Sequence, residues 1–124
     1  MANVVEVVNA ITLFKRYRDD AIKQKETHQK EVEDSVSKYM AFLLQGNVIV
    51  RDLYAELINL QSNGLMATDE LRVTALDECI EMLQELVIKE ATPEEYDKGL
   101  DDAEDILIEL KRKSRELMDK IIHE

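Results

Sequence analysis

Apolar residues recur along most of this chain at alternating steps of three and four, the spacing of helices that pack lengthwise against one another. The clearest run is Tyr96, Leu100, Ala103, Leu107, Leu110, Ser114, Leu117 and Ile121. It follows Thr92-Pro93-Glu94-Glu95, in which threonine can cap, proline suits the first helical position and Glu95 stands where a capping-box carboxylate would. A helix over residues 92–122 follows, roughly 45 Å long at 1.5 Å per residue. Upstream, Val73, Leu76, Ile80, Leu83 and Val87 form a second seam, predicting a helix capped by Thr68 or Asp69 and running to Glu90. The short link through Ala91-Thr92 makes these two helices an antiparallel hairpin.

The first half of the chain reads differently. Asn3 is a usable N-cap, and Val4, Val7, Val8, Ile11 and Phe14 begin an apolar set. From Lys15 to Lys30 only Ala21, Ile22 and His28 offer themselves as inward residues, before Val32, Val36, Tyr39, Met40 and Leu43 resume the pattern. No glycine or proline intervenes before Gly46-Asn47, a helix stop and turn signal. One continuous or slightly bent helix over residues 3–44 is predicted, roughly 63 Å long. A second helix is predicted over residues 48–61, with Ile49, Val50, Leu53, Leu57 and Leu60 on one side. Ser62-Asn63-Gly64 ends it, and Leu65 and Met66 are expected to cover one end of the core.

Glycine is scarce, there is one proline, and the single β-branched run, Val48-Ile49-Val50, is too short to build a sheet. The expected fold is therefore all-α: one domain over residues 1–124, an antiparallel bundle of four helices with long first and last members. Internal repeats and low-complexity linkers are absent from the sequence. Met40, Met66, Met82 and Met118 read as gap-fillers of the core. Ser114 is a polar step in the last seam that can fix helix register.

Charge sharpens the picture. The formal net charge is −11, and the region from Asp69 to Glu109 holds three Lys/Arg against fifteen Asp/Glu. Such a surface repels a phosphate backbone, so direct nucleic-acid binding is not expected, whereas a basic protein partner is. The basic cluster Lys111, Arg112, Lys113 and Arg115 lies in the last half of its helix, where it complements the helix dipole. Tyr17 among Lys15, Arg16 and Arg18 is offset by Asp19 and Asp20 and reads as a solvated face. The start of the chain lacks a basic n-region, and no apolar stretch approaches the ~18 residues of a membrane span. One cysteine, Cys79, rules out an intrachain disulfide. A cytoplasmic protein without membrane attachment is expected.

Candidate chemistry is sparse. His28 and His123 are isolated from cysteine and from each other, a poor metal set. Cys79 follows Glu78, and a neighbouring carboxylate raises a thiol pKa, the opposite of what a nucleophile needs. Phosphate loops and nucleophile elbows are missing. The sharpest candidate is a pair of acidic motifs, Glu78-Cys79-Ile80-Glu81 and Asp102-Ala103-Glu104-Asp105 before Ile106-Leu107-Ile108-Glu109-Leu110. The pair resembles the motifs of MazG-type, all-α nucleoside triphosphate pyrophosphohydrolases, with aspartate at Asp102 where that family usually has glutamate. The resemblance implies carboxylates holding magnesium against a nucleotide's phosphates, chemistry that oxygen ligands suit. The seams oppose it. With Val73 and Leu100 at heptad position a, Glu78, Glu81, Asp102 and Asp105 fall at f, b, c and f, all outward.

The reading that follows is a non-enzymatic interaction module, a small acidic regulator, inhibitor or adaptor, with no metal or cofactor. It is expected to form a homodimer, because the long first helix carries apolar clusters at both ends. The partner-binding surface is the outer face of the acidic hairpin, comprising Glu78, Glu81, Glu85, Asp101, Asp102 and Asp105.

Overall fold

The structure, a computed structural model, describes residues 1–46, 51–52 and 64–123. These residues are all-helical, with no strand among them, and form α1 (Val4–Leu44), α2 (Gly64–Ile88) and α3 (Pro93–His123). The α2 and α3 helices are the hairpin expected from the two seams. The helix predicted over residues 48–61 lies outside the described residues, apart from Arg51 and Asp52, which are helical and exposed.

The first helix is continuous over 41 residues, roughly 62 Å at 1.5 Å per residue. The Asn3 side chain caps it, accepting a hydrogen bond from the Glu6 N–H at 3.1 Å. Gly46 ends the run at φ 70°, a left-handed conformation that favours glycine, with its N–H donating to the Leu43 carbonyl at 3.1 Å.

The polar middle of α1 stays attached to α2 by polar contacts where apolar ones are few. Ala21 is fully buried, the Arg18 guanidinium meets Asp77 at 3.1 Å, and His28 Nδ1 meets Asp69 Oδ2 at 2.5 Å. Ile22, the other apolar candidate in that stretch, is 37 % exposed and faces out. The same contacts make α1 and α2 antiparallel, since partners on α2 fall in number as those on α1 rise.

The start of α2 corrects an expectation. Neither Thr68 nor Asp69 caps it, because the helix begins at Gly64 and both lie in its second turn. Asp69 stands four residues before Val73, so it continues the inward seam one step upstream and is buried. At its other end, α2 closes with Glu90 in a left-handed conformation at φ 54°. The Glu90 N–H reaches the Val87 carbonyl at 3.2 Å and the Ala91 N–H the Leu86 carbonyl at 3.0 Å, the paired bonds of a Schellman ending.

Thr92 opens α3 with a reciprocal capping box. Its hydroxyl accepts from the Glu95 N–H at 3.2 Å, and the Glu95 carboxylate accepts from the Thr92 N–H at 3.2 Å. Lys89, hydrogen-bonded to Glu95 at 2.6 Å, and the Thr92 N–H hold that carboxyl below its ordinary range.

The central element is α2, which packs along both α1 and α3, while α1 and α3 meet over a short stretch only. There the Ala2 N–H donates to Asp97 Oδ1 at 2.6 Å. The core lies toward this end: Ala2, Val7, Ile11, Cys79, Ile80, Leu83, Tyr96 and Ala103 are buried, with Phe14, Leu86, Leu100 and Leu107 packed around them. Gly99 packs against α2, where a Cβ would fall 2.3 Å from Leu86 Cδ1. Two of the four methionines read as gap-fillers, Met40 and Met118, are instead 49 % and 37 % exposed, whereas Met66 and Met82 are half-buried. No helix among the described residues is long and apolar enough to cross a membrane.

Candidate functional site

The hairpin turns an acidic surface away from the core. Its seams bury Leu76, Ile80, Leu83, Tyr96 and Ala103, and this fixes which residues point out. Glu78, Glu81 and Glu85 on α2 and Asp101 and Asp105 on α3 are exposed, and Asp102 is half-buried. Glu81 and Glu85 are one turn apart, as are Asp101 and Asp105, so like charges crowd along each helix, at roughly 0.2–0.5 kcal/mol per pair. Among the described residues none of these six carboxylates takes part in an ion pair. Nearby Glu109 differs: Arg112 bonds it and bridges to Glu116, which lowers the Glu109 pKa and raises that of the guanidinium.

Between the two helices runs a groove lined by residues of the α2–α3 hairpin alone. Its largest hollow, about 350 Å³, has a floor of Leu71, Ala75, Ile106 and Leu110. Glu78, Asp105 and Glu109 rim it, and Lys113 stands at one end. A second hollow continues the groove past Met82, Leu86 and Gly99 to Asp102, Lys98 and Lys89. A third extends it the other way along Leu71, Leu117 and Lys120.

The helix pair thus brings Glu78 and Asp105 to one hollow and puts Asp102 in the next, while Glu81 lines neither. Among the described residues no group of three or more His, Cys, Asp or Glu side chains is placed to hold a metal ion. Cys79, next to Glu78, is fully buried and faces α3, its thiol 3.7 Å from the Ala103 carbonyl. Burial, with Glu78 adding to it, pushes its pKa up to about 11, which makes it a poor nucleophile.

A second polar cluster was not legible as a unit in the sequence. Asp69 is 3 % exposed, bonded to His28 at 2.5 Å and to Arg72 at 3.4 Å. A buried carboxylate held by two basic side chains from two helices is a linkage between them. Its signal was the heptad: Asp69 falls at d, one step before Val73 at a. Ser35, also buried, carried no such signal. Tyr17 is 47 % exposed, whereas its neighbour Arg18 turns inward to Asp77.

Compared with known proteins, the chain matches no protein-family model, no curated protein and no solved structure.

Proposed function

We propose that this chain is a non-enzymatic protein-interaction module, a small acidic regulator, inhibitor or adaptor, that binds a basic protein partner through the outer face of the α2–α3 hairpin. The observation that supports it is the set Glu78, Glu81, Glu85, Asp101, Asp102 and Asp105, crowded on two helix faces and in no ion pair among the described residues. Such crowding costs stability, and a cationic partner would relieve it. In this reading the protein works in the cytoplasm without a cofactor, direct nucleic-acid contact or membrane attachment. It is a homodimer, folded as an antiparallel bundle of four helices.

Charge reversal tests the docking face. The partner is captured from the native source and identified by mass spectrometry. Changing the exposed Glu78, Glu81 and Asp105 to lysine should leave the helical circular-dichroism signal intact, because exposed positions seldom cost much. Binding should collapse, and the unmutated complex should weaken with salt. A lysine variant that binds as tightly, in a complex indifferent to salt, would move the contact to α1.

The shared hollow of Glu78 and Asp105 favours one alternative, the magnesium-dependent MazG-like pyrophosphohydrolase. With magnesium or manganese and a panel of nucleoside triphosphates, no pyrophosphate release is expected. Turnover of about 1 s⁻¹ or more, abolished by Glu78→Gln or Asp105→Asn, would replace the first reading with this one.

A further inference from the structure

The acids of the hairpin do not stand on a flat face. Glu78, Asp102 and Asp105 border an apolar groove, and the combination is more specific than charge alone. Leu71 and Ala75 of α2 and Ile106 and Leu110 of α3 are only half-buried, leaving apolar surface in the hollow that Glu78 and Asp105 share. Glu78 rises on one bank and Asp105 on the other. The three hollows follow the same α2–α3 seam from Leu71 to Lys89 on the α2 side, roughly 27 Å of helix at 1.5 Å per residue. All their lining residues come from α2 and α3, so α1 does not cover the groove.

We infer that this groove receives an amphipathic helix of a partner protein, its apolar edge on Leu71, Ala75, Ile106 and Leu110 and its flanking cations between Glu78 and Asp105. The inference rests on the proposed function and adds the partner's form. A groove between two helices fits a third helix, whose side chains at i, i+3, i+4 and i+7 make a continuous apolar edge. The residues beside that edge then lie against the two banks, where carboxylates favour lysine or arginine and reject glutamate or aspartate. The unpaired state of Glu78 and Asp105 among the described residues leaves both available to such cations. A second copy's hairpin is a poorer occupant of this groove, since its own stretch from Asp69 to Glu109 holds fifteen Asp/Glu against three Lys/Arg.

The test uses the full chain and three fluorescent peptides of about 18 residues, long enough to span the groove as a helix. One is a leucine–lysine peptide with leucines at helical spacing, one has the same composition in scrambled order, and one replaces lysine with glutamate. Fluorescence anisotropy should show the patterned lysine peptide binding at least about tenfold tighter than either control, a difference of about 1.4 kcal/mol. Ala75→Phe fills the floor without changing charge and should weaken binding by at least a further factor of about ten. Glu78→Gln with Asp105→Asn should weaken it and flatten its salt dependence. Where Ala75→Phe fails to fold, amide shift changes in the unmutated protein on adding the patterned peptide decide, and they should centre on Leu71, Ala75, Ile106 and Leu110. Equal binding of patterned and scrambled lysine peptides, or shifts elsewhere, would overturn the groove and leave a basic partner on the acidic face. No binding by either lysine peptide would remove both. Conversion of a dimer to a monomer by Ala75→Phe would give the groove to a second copy and overturn the inference.

Discussion

His28 on α1 and Asp69 on α2 meet at 2.5 Å, with the Asp69 side chain 4 % exposed, between the buried Ala21 and Ser35 of α1. The pair holds the long helix to its neighbour midway along its length. A buried carboxylate that loses a partner costs on the order of 1–3 kcal/mol. His28→Ala, which leaves the Asp69 carboxylate short of a partner, should destabilise the fold by that amount in urea melts, and Asp69→Ala, which leaves only the more exposed His28 and Arg72, should cost less. The double variant should cost less than their sum, by roughly 0.5–3 kcal/mol of coupling. Strict additivity would mean that the contact does not bear on folding.

The Cys79 thiol is neutral in the fold, and its pKa of about 11 lies above the ordinary value of 9.0. The folded chain therefore holds that proton more tightly than the unfolded chain does. The resulting stability is fully present below pH 9, falls between 9 and 11, and is gone above the folded value. It amounts to roughly 2–3 kcal/mol. Urea melts across this window should show a loss that is smaller in Cys79→Ala. At pH 8 a disulfide reagent should react slowly with the native protein and quickly once it is unfolded.

Glu90 occupies a left-handed conformation that side chains other than glycine adopt at a cost. Glu90→Gly should raise stability by about 0.5–1 kcal/mol, the relief of that strain exceeding the added freedom of the unfolded chain. An unchanged or lowered melting temperature would show that the Schellman ending of α2 carries no such strain.

At Gly99 the nearest obstacle to a new side chain is the tip of Leu86, which can turn aside. Gly99→Ala should therefore be near neutral, because the gain in helix propensity, about 1 kcal/mol, offsets the displacement. Gly99→Leu has no such escape and should cost about 1–3 kcal/mol. Thermal melts of the two variants separate close helix packing from propensity.

Self-association is expected through the first turns of α1, where Val4, Val5 and Val8 are 44 %, 62 % and 44 % exposed, beside Met1 at 85 %. Light scattering on a sizing column should give a dimer, and Val5→Glu with Val8→Glu should give a monomer. A clean monomer of the unmutated protein at tens of micromolar, about four orders above a nanomolar dissociation constant, would end this proposal.

Much of the fold was legible because helix formation is local. Asn3, Gly46, Thr92 and Glu95 act on backbone groups within four residues, so spacing along the chain located these helix ends. The seams of α2 and α3 were legible for the same reason, since burying one stripe of a helix dictates the outward stripe and hence the exposure of Glu78, Glu81, Glu85, Asp101 and Asp105. Contacts between helices were not legible, because they depend on how far one helix is slid and turned against another. Only the packed structure pairs His28 with Asp69 and Arg18 with Asp77, starts α2 at Gly64, and half-buries Asp102. It also decides that Glu78 and Asp105, 27 residues apart in number, border one groove while Glu81 does not. A helix presents a residue to a direction in space, but the neighbour's register determines which residue waits there.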